Sequence, residues 1–129
     1  MLKSGILNPQ INALVSRVRH TNLLVIADRG FPFWPQIETV DISLVDGIPR
    51  VLDVLRAVRT NFIASRAWMA EEFLHVNDEP TQRTFAEALA GVELTHEPHV
   101  ELKRRVPQAI GLIRTGDTIL YANIVLESG

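Results

Sequence analysis

The chain contains no cysteine, which excludes a disulfide framework, a thiolate metal site and a thiol nucleophile. A reducing compartment suits such a chain. Charge of one sign is also missing: 13 Lys and Arg against 15 Asp and Glu leave a net −2, so no field points toward nucleic acid or an anionic membrane. No apolar run approaches the ~20 residues that span a bilayer, and Met1-Leu2-Lys3-Ser4-Gly5 opens no long apolar stretch. A cytoplasmic location is therefore expected, with no membrane and no nucleic-acid partner. Glycine-rich phosphate loops, a Gly-x-Ser-x-Gly elbow and a His-Glu-x-x-His helix are all absent. Nucleotide binding, serine acyl transfer and zinc proteolysis thereby lose their usual signatures.

What is present is the making of one folded domain over residues 1–129, with 47% hydrophobic and 22% charged residues. Asn8-Pro9 places a cap before a proline at the first helical position, and Ile11, Leu14, Val15 and Val18 follow at helical spacing. That predicts an amphipathic helix ending near His20. Leu23 to Ala27 is an unbroken apolar run closed by Asp28-Arg29-Gly30, the pattern of a central strand covered on both faces. Phe31-Pro32-Phe33-Trp34-Pro35 belongs to a loop, because its prolines remove ladder donors.

Further along, a strand is expected over 37–42, a helix after Pro49 with Val51, Leu52, Leu55 and Val58 inward, and a strand within 63–70. After Asn77-Asp78-Glu79-Pro80 a helix is expected to Ala90, with Phe85 and Leu89 inward and Gly91 as a left-handed C-cap. A short strand at 92–95, a helix from Pro98 to about Val106 and a strand over 109–113 follow. Arg114-Thr115-Gly116-Asp117 reads as a tight turn, its glycine free for positive φ, into a last strand at 119–126. The expected fold is α/β: a three-layer α/β/α sandwich around a mixed sheet of about six strands.

Candidate chemistry collects at element ends. Asp28 closes the buried strand, where ligands bind in open α/β sheets; it equally suits a turn aspartate bonding its own backbone. Tyr121, the only tyrosine, and Asn123 are two apart and would share one strand face. They form either a grip for hydroxyl groups or a core tyrosine beside an edge asparagine. His99 and Lys103 are four apart on one helix face, as a ligand pair or as a solvated surface. His20 carries an imidazole, the side chain most often used as a general acid or base, or else it complements a helix dipole. His75 and His96 have no partner pattern and are expected in loops or on the surface.

Together these pieces resemble the D-ribose pyranase and L-fucose mutarotase family over nearly the whole chain. The similarity is carried by Gly5-Ile6-Leu7-Asn8, His20-Thr21, Val25-Ile26-Ala27-Asp28, Gly30 and Pro32, and by Ile113-Arg114-Thr115-Gly116-Asp117 followed by Tyr121-Ala122-Asn123. The resemblance implies His20 as catalytic proton donor and Asp28, His99, Lys103 and the segment Tyr121, Ala122, Asn123 as sugar contacts. It also implies a ring-shaped homo-oligomer, commonly a decamer, with no metal or organic cofactor. Ala122 and His99 favour the ribose branch. Arg29 stands where that branch usually has a small residue.

The activity so implied is cofactor-independent interconversion of monosaccharide ring forms or anomers through the open-chain aldehyde, D-ribose preferred. Mutarotation of fucose or another monosaccharide, and a sugar-binding accessory role without turnover, are the alternatives. If residues 21–28 run extended at ~3.3 Å each, His20 and Asp28 lie roughly 26 Å apart. One chain cannot then bring both to one sugar, and the expected site is completed between subunits.

Overall fold

The computed structural model describes residues 1–129. In chain order the elements are α1 (Pro9–Arg17), β1 (Leu23–Ala27), β2 (Glu38–Asp41), α2 (Val51–Arg59), β3 (Ala64–Ala70), α3 (Glu71–Val76), α4 (Glu79–Ala88), β4 (Glu93–Glu97), α5 (His99–Arg105), a 3-10 turn (Val106–Gln108), β5 (Gly111–Arg114) and β6 (Ile124–Ser128). The strands form a single six-stranded sheet in the order β2-β5-β1-β6-β3-β4. β6 alone runs against the rest, antiparallel to both β1 and β3, while the remaining pairs are parallel.

Alternation along the strands builds two cores. Leu24, Ile26, Ile113, Ile124, Leu126, Ala67 and Met69 face one layer, where they meet Ile11 and Leu14 of α1, the apolar side of α2, and Phe73, Phe85 and Leu89. Val25, Ala27, Leu112, Val125, Trp68 and Ala70 face the other, under Leu102, Val106 and Phe31. β1 has no exposed side, as its unbroken apolar run demands: Leu24 to Ala27 are all fully buried. The sheet is thus sandwiched between helical layers.

Local signals in the sequence operate as written. The Asn8 side chain accepts from the Ile11 amide at 2.9 Å, and the Asp78 side chain does the same for Thr81 at 2.9 Å. Gly91 takes φ +80° just beyond α4. α1 stops at Arg17, three residues short of His20, because the Asn22 side chain accepts from the Arg19 amide and its own amide donates to the Arg19 carbonyl. That turn reverses the chain into β1. Helix α3 lacks an apolar period of its own and follows β3 directly, held by Phe73, whose ring packs 4.8 Å from Phe85.

The largest departure from expectation is at the C-terminal end. Residues 114–117 do not form a tight turn between adjacent strands, and β6 begins at Ile124 rather than 119. The two last strands flank β1 on opposite sides. The polar residues that spell a surface turn are instead buried ties. The Thr115 amide and hydroxyl both donate to the Ala27 carbonyl, at 2.9 and 2.8 Å. The Asp117 carboxylate accepts from the Val51 amide at the start of α2 and from the Ile119 amide, each at 2.8 Å. Gly116 is needed for close approach rather than for positive φ: a Cβ there would meet the Val45 carbonyl oxygen at 2.4 Å and that of Ile48 at 2.6 Å. Gly116→Ala is therefore expected to lower the unfolding free energy by about 1–3 kcal/mol, read as a reduced urea midpoint at unchanged slope.

Candidate functional site

Because five of the six strands run the same way, their carboxyl ends share one edge of the sheet, and the chain must cross that edge to enter β6. The crossing, residues 115–123, meets the loop after β1 and the start of α5 around a cavity of about 370 Å³. Asp28, Arg29, Phe31, His99, Tyr121 and Asn123 are among the residues that line it. A crevice of this size at the carboxyl edge, beside the strand where the order reverses, is where open α/β sheets bind small molecules.

Asp28 is fixed from two sides. Its amide donates to Asn123 Oδ1 at 2.8 Å, and its Oδ1 accepts from the Gly30 amide at 2.9 Å. The turn-aspartate and cavity-lining roles coexist. Burial pushes the Asp28 carboxyl above the usual carboxylate range, against the Gly30 amide, the Asn123 side chain and the Phe31 amide, which favour the charged form; nearby Asp117 adds to the rise.

His99 starts α5, where its amide donates to Glu72 Oε1 at 3.0 Å and Oε2 at 3.2 Å. Its ring meets Tyr121 edge-on, with centroids 5.0 Å apart at 85°, and lies 6.0 Å from Phe31. Burial lowers the imidazole pKa, with Lys103 helping and Glu72 and Asp28 opposing. The ring is therefore neutral at neutral pH, and its Nε2 is buried without a hydrogen-bond partner. A buried ring nitrogen left without a partner is an exception among buried polar groups.

Tyr121 is not on a strand. It holds φ +58°, a left-handed backbone rare outside glycine, three residues before β6 begins. The expected shared strand face of Tyr121 and Asn123 is thus replaced by a loop that still delivers both to the cavity. Ala122 between them is fully buried in the core and lines no part of the cavity. Lys103 lines a neighbouring groove of about 510 Å³ with Pro32, Phe33, Trp34, Val100, Arg104 and Pro107. His20 is exposed on the turn before β1, at the strand's other end from Asp28. His75 is exposed on α3, and His96 lies half-buried on the edge strand β4, not in a loop.

Three contributors escaped the sequence. Glu72 lies on the unanticipated α3, Phe31 looked like one more loop aromatic, and Arg114 looked like a turn residue. No local pattern marks any of them. Arg29, at the cavity rim, pairs with Asp46 at 2.9 Å, both side chains exposed.

Fold and cavity together define an α/β protein with a small, polar-lined crevice at the carboxyl edge of its sheet. All 129 residues match the model of the RbsD / FucU transport protein family, and the chain belongs to that family. It is 39% identical over 129 residues to a D-ribose pyranase of a Thermoanaerobacter species, covering 100% of this chain and 98% of that protein. It is 40% identical to the D-ribose pyranase of Geobacillus kaustophilus, covering 100% and 94%. Among solved structures it is similar to Bacillus subtilis RbsD complexed with D-ribose, with TM-score 0.91 and 28% identity over 100% of this chain and 98% of that one. It shares its fold with the fucose mutarotase of Streptococcus pneumoniae, solved with L-fucose, at TM-score 0.82, 20% identity and coverage of 99% and 98%.

The raised Asp28 pKa carries a stability consequence. Because the folded state holds the proton more tightly than the unfolded chain, ionised Asp28 costs stability. That cost is absent below the ordinary aspartate pKa of ~3.9 and is fully present above the raised folded value. Asp28→Asn keeps the oxygen that accepts from Gly30 and is expected to raise Tm by a few degrees at pH 7, with the gain shrinking toward zero below pH ~3.9. Calorimetry at both pH values checks it. A Tm loss at pH 7 would mean that hydrogen bonding, not burial, dominates at this carboxylate.

Proposed function

We propose that the chain catalyses interconversion of monosaccharide ring forms or anomers, with D-ribose the preferred substrate, through the open-chain aldehyde and without a cofactor. The observation that carries this is the cavity itself: the Asp28 carboxyl, the His99 imidazole with its unpartnered nitrogen, the Asn123 amide and the Tyr121 phenol around a single crevice, with Asp117 and Arg29 also in its lining. These are donors and acceptors suited to hydroxyl groups, with the Tyr121 ring offering an apolar face. The full-length likeness to proteins named D-ribose pyranase supports the ribose assignment.

Opening a hemiacetal needs a proton delivered to the ring oxygen and another taken from the anomeric hydroxyl; closing reverses both. No bond to the protein forms, and no electrons leave the sugar. Asp28 and His99 accept hydrogen bonds from hydroxyl groups, Asn123 and Tyr121 orient the ring, and His20 shuttles the proton, giving one to the ring oxygen and recovering one from the anomeric hydroxyl, so that it ends in its starting protonation state. A positioned acid or base of this kind contributes about 10²- to 10⁴-fold. His20 lies away from its own chain's cavity, so the proposed site takes it from an adjoining subunit of a ring-shaped, cytoplasmic homo-oligomer, a decamer in the form the resemblance implies. Ala122 then contributes through its backbone, and Lys103 from the adjoining groove.

NMR exchange between the anomeric signals of D-ribose and of L-fucose, with and without protein, tests the activity. Accelerated exchange in ribose above fucose is expected, with a fall of about 10²- to 10⁴-fold in His20→Ala; line broadening with no faster exchange would make the chain a sugar-binding module. Subunit sharing has its own test. Dissociating and co-assembling His20→Ala with Asp28→Asn regenerates both groups at roughly one site in four if the site spans two subunits. Mixed assemblies as inactive as their parents would refute sharing.

A further inference from the structure

Arg114 ends β5, between Ala27 of β1 and Asp41 of β2 in the sheet register. Its side chain is 12% exposed, and its nearest carboxylate, Asp41 at 3.8 Å, is itself 54% exposed. A guanidinium this deep is costly unless its donors are used. They are used on one loop. Nη1 donates to the Phe31 carbonyl at 2.5 Å and lies 3.4 Å from those of Asp28 and Arg29, while Nη2 donates to Pro32 at 3.2 Å. None of these carbonyls accepts a hydrogen bond from a backbone amide. The loop they belong to carries Asp28 and sets Phe31 against the His99 ring.

We propose that Arg114 is the positioning residue of the site, a guanidinium peg that gathers the carbonyls of residues 28–32 and so fixes the Asp28 carboxylate relative to His99. The planar fork is what this requires. Its donors reach several carbonyls in one plane, whereas a lysine ammonium concentrates its three donors at one point. Arg114 lines no part of the cavity and takes no part in proton transfer. It acts through Asp28 and Phe31. The inference rests on the proposed isomerase activity only for its kinetic readout.

The test uses a Trp68→Phe background. The chain has two tryptophans, so Trp34 is then the sole emitter; its ring lies 6.2 Å from Phe31, where it reports the loop. Arg114→Ala is expected to shift Trp34 emission and lower ribose exchange by roughly 10- to 100-fold, the cost of about an ångström's misplacement. Millimolar guanidinium should restore both signals, and Arg114→Lys should restore neither fully.

Wild-type exchange in Arg114→Ala would overturn the proposal. So would lost exchange with unchanged emission, which would assign a direct role instead. Should Arg114→Ala fail to fold, Arg114→Lys decides: wild-type exchange and emission in that variant would overturn it equally. If the wild-type protein accelerates exchange of no sugar, the isomerase reading fails by itself, while the emission shift and its rescue by guanidinium still decide the role of Arg114.

Discussion

β6 runs antiparallel to the strands on either side of it, and that reversal is the constraint on which the site depends. To enter the sheet from the carboxyl edge, the chain must lead from the end of β5 across the end of β1. The Ala27 carbonyl anchors the crossing by accepting twice from Thr115, and Asp117 ties it to the first turn of α2. Held there at its start, and by entry into β6 at Ile124 at its other end, the crossing projects Tyr121 and Asn123 over the end of β1, beside Asp28. A sixth strand laid parallel would have needed a crossover elsewhere and left this edge without its polar wall.

Polar groups gathered in a partly dry crevice are electrostatically unrelieved. Asp28 is pushed toward its protonated form and His99 toward neutrality, both chiefly by burial. Their shifts run in opposite senses because burial penalises charge of either sign. Glu72 and Arg114 stabilise the backbone beneath these two side chains, one through the His99 amide and the other through the carbonyls of residues 28–32. Each supporting charge is spent on the main chain rather than offered to the cavity. Neither supporting side chain lines the crevice, which holds the Asp28 carboxyl and the unpartnered His99 ring nitrogen.

Much of this was legible in the sequence. The unbroken apolar run before Asp28 marked a strand buried on both faces, the cap at Asn8 marked a helix start, and Asp28, His99, Tyr121 and Asn123 stood out as polar candidates, all four of which the structure brings to one cavity. These features are local, set by side-chain size, hydrogen-bonding capacity and periodicity within a few residues. The path of residues 114–123 was not legible. Arg-Thr-Gly-Asp has the composition of a surface turn, and only the presence of the Ala27 carbonyl, the α2 amides and the Val45 and Ile48 carbonyls converts it into a buried tie.

By itself, then, the sequence determined the α/β class, the central strand and the kinds of group available to a ligand, because burial patterns and capping are written in neighbouring residues. Tertiary structure decided which of those groups meet. Asp28 and Asn123 lie far apart in the chain yet share a hydrogen bond, while Lys103, four residues from His99, faces a different groove. Strand order and direction are fixed by competition among long-range pairings, and no local pattern encodes the outcome of that competition.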